Sequence, residues 1–542
     1  MKKTLAWVLT LAMLMAMAVV GFAEEDKYYA PYDEPITITW SVPTSAVQEF
    51  RDGDTYDDNL WSRKIKEDLN IDVQVGFSAD GSTDAYTNRL NTMLASGDLP
   101  DIVNIRSNER TVFDQAYEAG LLMDLTDVFE EYASPELKAY KEKFPESFEG
   151  CTKDGRLYAF PHMTDNFHDG CFLWIRDDWL KNLNAEVPTT VEEMVELARR
   201  FTFEDPDGNG VDDTYGLAIN NKILDSGYGT LMGLAQAFGL PAYGTSGVFY
   251  RGEDGKITFP YIQPEMKQVL SIAHDMYAEG IIDPEFIVKD NPQMEQDVLN
   301  GKVGMMYHMS WGDWLPFNLT FEDSGVITRP YPIPTEEGYD FKVGINSNKT
   351  GDVFMISKNC KNPEAVIKIL NLYNKTCIET QDPEEFTTYW SDEQYRFCPI
   401  FVSIRTPENF ADVLLDAMAN DTGDQLPANL RTVYGYIVDF ESGANTDSNA
   451  YGTWGQMAER GAVVIALTDY KGHLVTNLMA NVRPEIWMQN QAVLESIEIQ
   501  AFTDIITGQQ PVDYFDEFVT NWLNAGGQQT LDELEAIYAE AE

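Results

Sequence analysis

The stretch DPDGNGVDDTYG, residues 205–216, places oxygen-bearing side chains at alternate positions around glycines. This spacing is typical of an EF-hand calcium loop, in which alternate side chains and one backbone carbonyl converge on a hard cation. The candidate ligands are the side chains of Asp205, Asp207, Asn209 and Asp213 and the carbonyl of Val211, with Gly210 at the sharp turn. The pattern predicts bound Ca²⁺. The alternative is a turn held by Asx hydrogen bonds.

The end of this loop differs from that of a calcium sensor. Position 12, where a sensor loop has a bidentate glutamate, is Gly216. The segment TYGLAI (214–219) is typical of a strand, whereas a sensor opens by moving two helices. We therefore expect a structural calcium clamp, with Asp212 or a distant carboxylate completing the coordination.

The charge balance limits the class of partner. The 542 residues include 89 acidic and 38 basic side chains, for a formal net charge of −51. A field of this sign repels phosphate backbones and anionic membrane surfaces. Nucleic acid is therefore not an expected partner, and a polyanionic ligand would need a local basic pocket.

Residues 1–23 have the features of a cleavable secretory signal. Lys2 and Lys3 precede an apolar run from Leu5 to Phe22, and small residues stand before the expected cleavage after Ala23. The alternative is a retained anchor, because the run is close to the ~18 residues that a membrane span needs. We expect an extracytoplasmic protein, in a periplasm, at the cell surface or secreted.

The cysteines carry no predicted catalytic or metal-binding role. Five cysteines are too few and too scattered for a disulfide framework, and none has the C-x-x-C spacing of a zinc site. A pair between Cys151 and Cys171 is left open, and an odd cysteine must stay free. The five are Cys151, Cys171, Cys360, Cys377 and Cys398.

Hydrophobic periodicity predicts α/β architecture. The amino-terminal part runs strand, helix, strand, helix, strand over residues 36–40, 57–70, 71–77, 84–97 and 101–105. Such alternation is the pattern of an open α/β sheet with crossovers. Because a single core rarely exceeds about 250–300 residues, we expect two lobes. A helical tail is predicted over residues 484–508 and 530–542.

Five segments then point to a family. They are TMLASGDLPDIV (92–103), LWIRDDWLKNLNAEVPTTVEEM (173–194), FTFEDPDGNGVDDTYGL (201–217), ISKNCKNPEAVIKILNLY (356–373) and DIITGQQPVDYFDEFVTNWLNAGG (504–527). Taken in this order, they resemble bacterial extracellular solute-binding proteins of family 1. The resemblance is strongest to the large oligosaccharide-binding branch with a calcium loop, and it covers nearly all of the mature chain.

The resemblance implies a two-lobed type II periplasmic binding protein fold with several hinge crossovers. It also implies a sugar held between the lobes and delivery to the permease subunits of an ABC importer. The expected organisation is a first lobe in 24–160, a second lobe mainly in 161–345, and returns between lobes with the tail in 346–542. The chain has no cysteine before Cys151 and so no lipobox cysteine, a departure from many members.

Within that implied function, aromatic side chains are the first candidates for ligand contact. Sugar rings present flat C–H faces that pack on aromatic rings. In HMSWGDWLPF (308–317), Trp311 and Trp314 stand in a glycine-containing loop after an apolar strand. Tyr158 in GRLYAFP and Trp454 in NAYGTWGQM are further candidates. For Trp311 and Trp314 the alternative is a place in the core.

Two charged residues complete the predicted site. Asp101 follows a GDLP turn, and the resemblance implies a hydrogen bond to a sugar hydroxyl, with a turn cap as the alternative. Arg176 follows an apolar strand, where it would hold the polar edge of a ligand or pair with a nearby carboxylate.

Other functions are less well supported by the sequence. A secreted carbohydrate-active enzyme would use a pair of carboxylates. Because the chain has 89 acidic residues, many such pairs can be proposed, and none of them distinguishes an enzyme from a binding protein. No H-E-x-x-H or G-x-S-x-G motif is present, and a calcium-dependent adhesin would show repeated loops. We therefore expect a monomeric binding protein without catalysis, and a peptide ligand stays open beside a sugar.

Overall fold

A computed structural model describes residues 27–44, 50–81, 85–106, 109–162, 170–224, 227–244, 247–345, 350–390, 394–402, 410–480, 482 and 484–541. The signal-peptide prediction for residues 1–23 lies outside the described residues.

The strands are short and spread along the whole chain. They are β1 Ile36–Thr44, β2 Ile71–Asp80, β3 Ile102–Ile105, β4 Thr152–Lys153, β5 Arg156–Leu157, β6 Ala159–His162, β7 Cys171–Arg176, β8 Tyr215–Ala218, β9 Tyr250–Arg251, β10 Ile257–Thr258, β11 Val303–Met309, β12 Thr328–Tyr331, β13 Val343–Ile345, β14 Asp352–Ile356 and β15 Leu474–Thr476.

Helices separate most of these strands and form the carboxyl-terminal tail. They are α1 Leu60–Leu69, α2 Ala85–Ser96, α3 Arg110–Glu118, α4 Thr126–Tyr132, α5 Pro135–Lys143, α6 Pro145–Glu149, α7 Asp177–Asn182, α8 Val191–Phe203, α9 Met232–Ala237, α10 Pro264–Glu279, α11 Asn291–Leu299, α12 Phe317–Ser324, α13 Pro363–Tyr373, α14 Pro383–Trp390, α15 Phe410–Asn420, α16 Ala428–Ser442, α17 Ser448–Met457, α18 Ala462–Thr468, α19 Glu485–Ile506, α20 Tyr514–Trp522 and α21 Gln528–Ala541.

The chain folds into two compact units. Of the described residues, those within 1–164, 348–406 and 426–432 form the first unit, and those within 165–347, 407–425 and 433–542 form the second. The chain therefore crosses between units several times, and each unit has its own hydrophobic core. The lobe boundaries expected from the sequence stay predictions.

The first unit is built on a five-stranded sheet in the order β2-β1-β3-β14-β6. β1 pairs in parallel with both β2 and β3, while β14 runs antiparallel to β3 and β6. β1, β2, β3 and β6 therefore end at one edge of the sheet, where β14 begins. The register pairs Val353 with Ile105 and Asp352 with His162 at this edge.

The second unit contains a four-stranded sheet in the order β12-β7-β11-β8. β8 and β11 are parallel, β7 runs antiparallel to β11, and β12 runs antiparallel to β7. β8, β11 and β12 therefore end at the same edge, and β7 ends at the opposite one.

The helix before the predicted calcium loop shows how local sequence sets these elements. Thr190 and Glu193 form a capping box at the start of α8. Buried side chains then recur at helical spacing, which packs one face of α8 into the core of the second unit. They are Val191, Met194, Leu197, Ala198, Phe201 and Thr202. Within the described part of the chain, no helix combines the length and the hydropathy needed to cross a bilayer.

Candidate functional site

Ligands of open α/β sheets bind beyond the carboxyl ends of the parallel strands. In the second unit these ends are Ala218, Met309 and Tyr331. Trp311 and Trp314 directly follow β11. Both tryptophans therefore stand at the edge of the sheet where a ligand is expected.

Trp311 belongs to a cluster of packed aromatic rings at this edge. Its ring meets His308 edge to face at 4.3 Å between centroids. Tyr228 stacks on His308 at 4.9 Å and lies 5.9 Å from Trp311. The Tyr228 hydroxyl donates to Glu295, which fixes the ring. Trp311 itself is half-buried, so the cluster holds a partly open indole in one orientation.

His308 acts in this cluster as a neutral ring. Burial lowers the pKa of His308 to about 3, so the imidazole carries no charge at neutral pH. Its Nδ1 lies 2.9 Å from the carbonyl oxygen of Met309. The histidine thus supplies an aromatic support for Trp311 and not a cation.

The rest of the tryptophan loop packs against α17. Trp314 is 39% exposed, and a Cβ on Gly452 would come within 2.7 Å of its ring. Asp313 is fully buried, and a Cβ on Gly455 would lie 1.2 Å from its Oδ2. Burial raises the pKa of Asp313 well above its usual range. The two glycines of α17 therefore allow the tryptophan loop to pack closely against this helix. The sequence did not indicate that Asp313 would be buried in this contact.

Arg176 lies at the end of β7, on the opposite edge of this sheet. Its Nε donates to Asp178 at 3.0 Å, and its Nη1 donates to the carbonyl of Gly301 at 3.1 Å. The guanidinium also packs over the ring of Trp179, 4.5 Å from its centroid. These contacts favour the carboxylate pair over contact with a ligand.

Trp454 is only 6% exposed. The guanidinium of Arg329 covers its ring at 4.3 Å, and Phe440 lies 4.9 Å away. Its Nε1 donates to Glu441 at 3.3 Å. This residue therefore has the surroundings of a packing residue of α17.

In the first unit, Asp101 and Tyr158 each stand directly before a strand, β3 and β6 respectively. They therefore lie away from the carboxyl edge of the sheet. Asp101 Oδ2 accepts from the backbone nitrogen and the hydroxyl of Thr39 in β1, both at 2.8 Å, so this carboxylate is used within the protein as a link between strands. Tyr158 packs edge-on against Tyr117 at 5.0 Å.

The carboxyl edge of the first sheet presents residues that the sequence analysis did not single out. Arg106 directly follows β3, Gly81 follows β2, His162 ends β6 and Asp352 begins β14. The available sequence signal was position alone, since each residue stands at the end of an apolar strand or beside it. The strand order that brings them together depends on pairing distant in sequence.

Arg106 forms hydrogen bonds with two neighbouring segments at this edge. Its Nη2 donates to Glu109 at 2.6 Å, its Nη1 donates to the carbonyl of Gly81, and its Nε is buried without a hydrogen-bond partner among the described residues. Glu109 is itself 3% exposed.

His162 is a neutral neighbour at the same edge. Burial, and secondarily the adjacent Arg396, lower the pKa of His162 to about 3. Its ring meets Phe401 edge to face at 4.8 Å. It can therefore exchange hydrogen bonds with a ligand without adding charge.

The predicted calcium loop connects α8 to β8, at the amino edge of the second sheet. Asn209 Nδ2 lies 2.8 Å from Asp207 Oδ2 and 3.3 Å from Asp213 Oδ1, while the nitrogen of Gly210 donates to Asp205 Oδ2 at 3.1 Å. Burial raises the pKa of Asp207, and the carboxylates of Asp205 and Asp213 raise it further. The polar side chains thus converge on one region.

These residue types fit a hard cation. Carboxylate and amide oxygens are the ligands that Ca²⁺ prefers, and the oxygen and nitrogen of the Asn209 amide are interchangeable by a flip. Across the described ranges, no three or more His, Cys, Asp or Glu side chains are already placed to hold a metal ion. Coordination would therefore require the side chains to close further around the ion.

Close packing explains why residue 216 is glycine, where the loop of a calcium sensor has glutamate. It lies in β8, and a Cβ there would come within 1.9 Å of the carbonyl oxygen of Ala198 in α8. The strand after the loop is confirmed, so the arrangement is helix, loop, strand.

All five cysteines are buried and unpaired, so the Cys151–Cys171 bridge that the sequence left open is absent. Burial raises the pKa of Cys151 to about 12. A reactive thiolate is therefore not favoured there.

Residues 52–375, more than half of the chain, match the family described as bacterial extracellular solute-binding protein. A curated relative is the polygalacturonan/rhamnogalacturonan-binding protein YtcQ of Bacillus subtilis, 28% identical over 243 residues. That match covers 45% of this chain and 45% of YtcQ, so the chain spans less than half the length of this relative.

Two solved structures share the fold over nearly the whole chain. One is a solute-binding protein of Bifidobacterium longum infantis described as HMO-binding and ABC-transporter associated, with a TM-score of 0.63, 18% identity, and coverage of 94% of this chain and 99% of that one. The other is an EF-hand mutant of the ABC-transporter substrate-binding protein FusA of S. pneumoniae in complex with fructo-nystose, with a TM-score of 0.62 and 17% identity. It covers 93% of this chain and 99% of its own. The fold is therefore the two-lobed periplasmic binding protein fold, and the chain belongs to the family of bacterial extracellular solute-binding proteins.

Proposed function

We propose that this protein captures an oligosaccharide outside the cytoplasm and delivers it to the permease subunits of an ABC importer. The family supports solute capture, and the names of YtcQ, the HMO-binding protein and FusA support a carbohydrate. The proposed protein is a monomer without nucleic-acid partners.

The observation that carries this proposal is the position of Trp311. It stands beyond the carboxyl end of β11, half-buried, with its ring packed against the neutral His308 and Tyr228. A sugar ring packs its C–H face on such an indole. Trp314, 39% exposed in the same loop, offers a second face.

The other predicted contacts take supporting roles in the proposal. Asp101 and Arg176 use their polar atoms within the protein, and Trp454 is covered by Arg329. Tyr158 lies before β6, at the amino end of that strand. We place direct ligand contact at the carboxyl edges of the sheets.

We also propose that Ca²⁺ binds in the 205–216 loop as a structural ion. The proposed ligands are the side chains of Asp205, Asp207, Asn209 and Asp213 and the carbonyl of Val211. The convergence of the three carboxylates supports this, since a divalent cation would offset their repulsion. The loop lies at the amino edge of the second sheet, away from Trp311, so the ion would hold α8 and β8 together without touching the sugar.

The competing proposal is a secreted carbohydrate-active enzyme. Incubation with a panel of oligosaccharides separates the two, with the melting temperature and the reaction products both followed. A binder is stabilised by its ligand, because the ligand binds only the native state, and the sugar is recovered intact. Release of shorter sugars by the wild-type protein would contradict the proposal.

A further inference from the structure

Arg110 has unusual surroundings for an arginine in so acidic a chain. It begins α3, five residues after the carboxyl end of β3. Its Nη2 donates to the carbonyl of Gly150, and its guanidinium lies 5.1 Å from the ring of Phe113 and beside the thiol of Cys151. Among the described residues no carboxylate pairs with it, although the chain has 89 acidic residues.

The hydrogen-bonding capacity of Arg110 is also incompletely used. Its Nη1 is buried and donates no hydrogen bond to any described residue. An unsatisfied buried donor is costly, and more so when it belongs to a charged group. The nitrogen is covered in this structure, so an acidic group would satisfy it once neighbouring side chains move aside.

A second guanidinium at the same edge has the same property. Arg106 follows β3, and its Nε is buried with no partner in the described part of the chain. Its other nitrogens are used by Glu109 and Gly81. Thr350 also lies at this edge. A Cβ added at Gly150 would lie 2.5 Å from the Thr350 hydroxyl and 3.0 Å from Arg110 Nη2, so these two side chains are close to each other.

We propose that this edge of the first unit receives an acidic group of the ligand, so that the transported sugar is an anionic oligosaccharide. The inference rests on the proposed function and narrows its substrate class. A guanidinium matches the planar carboxylate of a uronic acid, or a sulfate ester, through two parallel hydrogen bonds. The neutral His162 ends β6 at the same edge of the sheet and can contribute a hydrogen bond there. At this edge Arg106 is paired with Glu109 and lies near Asp352. Arg110 therefore supplies the positive charge that an anionic ligand needs in a chain of net charge −51.

Calorimetric titration with three sets of oligosaccharides tests this proposal. The first set carries uronic acids, the second carries sulfate esters, and the third contains the neutral methyl esters and unsubstituted forms of the same sugars. We expect binding in the first or second set, which tells carboxylate from sulfate, and at least about ten-fold weaker binding to the neutral counterpart, the scale of one hydrogen bond to a charged group.

Arg110→Gln should weaken binding of the anionic sugar by about ten-fold, and Arg110→Lys by less, since the charge remains but the planar fork is lost. Arg199→Gln is the matched control, because it removes one positive charge from an exposed pair with Glu279 in the second unit. If Arg110→Gln does not fold, the salt dependence of wild-type affinity replaces it, and added NaCl should weaken binding of anionic sugars only.

The outcomes separate the two proposals. Tight binding of neutral sugars only, or equal affinity of wild type and folded Arg110→Gln for the anionic sugar, overturns the anionic-ligand inference and leaves oligosaccharide capture standing. Failure of every sugar in all three sets to bind overturns the proposed function and this inference with it.

Discussion

At the scale of single residues, Trp311 is the proposed anchor for the sugar. Trp311→Ala should weaken oligosaccharide binding by about ten-fold, because an aromatic face contributes roughly 1 kcal/mol or more beyond its buried area. Titration calorimetry measures the change. Phe203→Ala removes an aromatic ring that is 56% exposed at the end of α8, away from the ligand edge, and should leave affinity unchanged. Equal losses in both variants would contradict the assignment.

Gly216 tests the packing of the strand that follows the calcium loop. Gly216→Ala should lower the free energy of unfolding by about 2 kcal/mol or more, because its Cβ would meet the backbone oxygen of Ala198 at 1.9 Å. Urea unfolding measures this. Gly435→Ala in α16 is the control, since nothing lies within 4 Å of its Cβ, and it should stabilise by up to about 1 kcal/mol. A neutral Gly216→Ala would refute the close approach.

Residue types and spacing predicted some of these positions and missed others. The candidate calcium ligands and the two tryptophans after β11 could be proposed from the sequence, because those proposals depend on near neighbours in sequence, and they stay predictions. Asp313 was not, because its burial depends on Gly455 of α17, far along the chain. Arg106 and Arg110 were missed for the same reason, since their edge is assembled from β3, β6 and β14.

At the scale of elements, the carboxyl-terminal helix pair contains a buried acid. Glu498 of α19 is fully buried and accepts from Nε1 of Trp522 in α20 at 2.5 Å. Burial raises the pKa of Glu498 well above its usual value of 4.5. Its stabilising effect is therefore complete below the unfolded-state pKa and is lost as the pH rises through the higher folded-state pKa.

Glu498→Gln should remove this pH dependence, because glutamine keeps an acceptor for Trp522 and does not ionise. We expect the variant to be more stable than wild type at pH 8 by about 1 kcal/mol or more, with a smaller difference at pH 5. Urea unfolding at both pH values measures it. Glu495→Gln, one turn earlier on the same helix, should show no such difference. A Glu498→Gln protein with wild-type pH dependence would show that this group is ionised when folded.

The calcium loop is itself an element, since it joins the end of α8 to β8. Removing Ca²⁺ should lower the melting temperature, because the three carboxylates then repel one another, while the sugar affinity of the folded protein stays unchanged. Scanning calorimetry and titration with and without chelator measure both quantities. Asp207→Asn should reproduce the loss of calcium stabilisation, and Glu253→Gln in the exposed β9–β10 turn should not. Loss of affinity in folded, calcium-free protein would contradict a purely structural ion.

The local patterns predicted these elements well. The helices expected at 57–70 and 84–97 lie at Leu60–Leu69 and Ala85–Ser96, and the capping box of Thr190 and Glu193 is present. Such features depend on short-range periodicity and capping. The helices α14 to α18 were not predicted individually, because their packing depends on contacts distant in sequence.

At the scale of the whole molecule, the length of the chain predicted two units, which the structure has. The acidic composition gives only an expectation that nucleic acid is not a partner. The strand orders β2-β1-β3-β14-β6 and β12-β7-β11-β8 were beyond sequence reasoning, because each joins strands more than a hundred residues apart. Those orders decide which residues share an edge. They place Trp311 at the carboxyl edge of one sheet and Arg106 at that of the other, and they place Asp101 and Arg176 away from both.

The central claim is that the folded protein binds an oligosaccharide and releases it unchanged. Titration calorimetry of the wild-type protein against an oligosaccharide panel, with the sugar recovered and sized afterwards, tests this most directly. The account predicts saturable binding of at least one sugar at one site per chain, with the sugar recovered intact. Absence of binding across the panel, or recovery of shortened sugar, would contradict it.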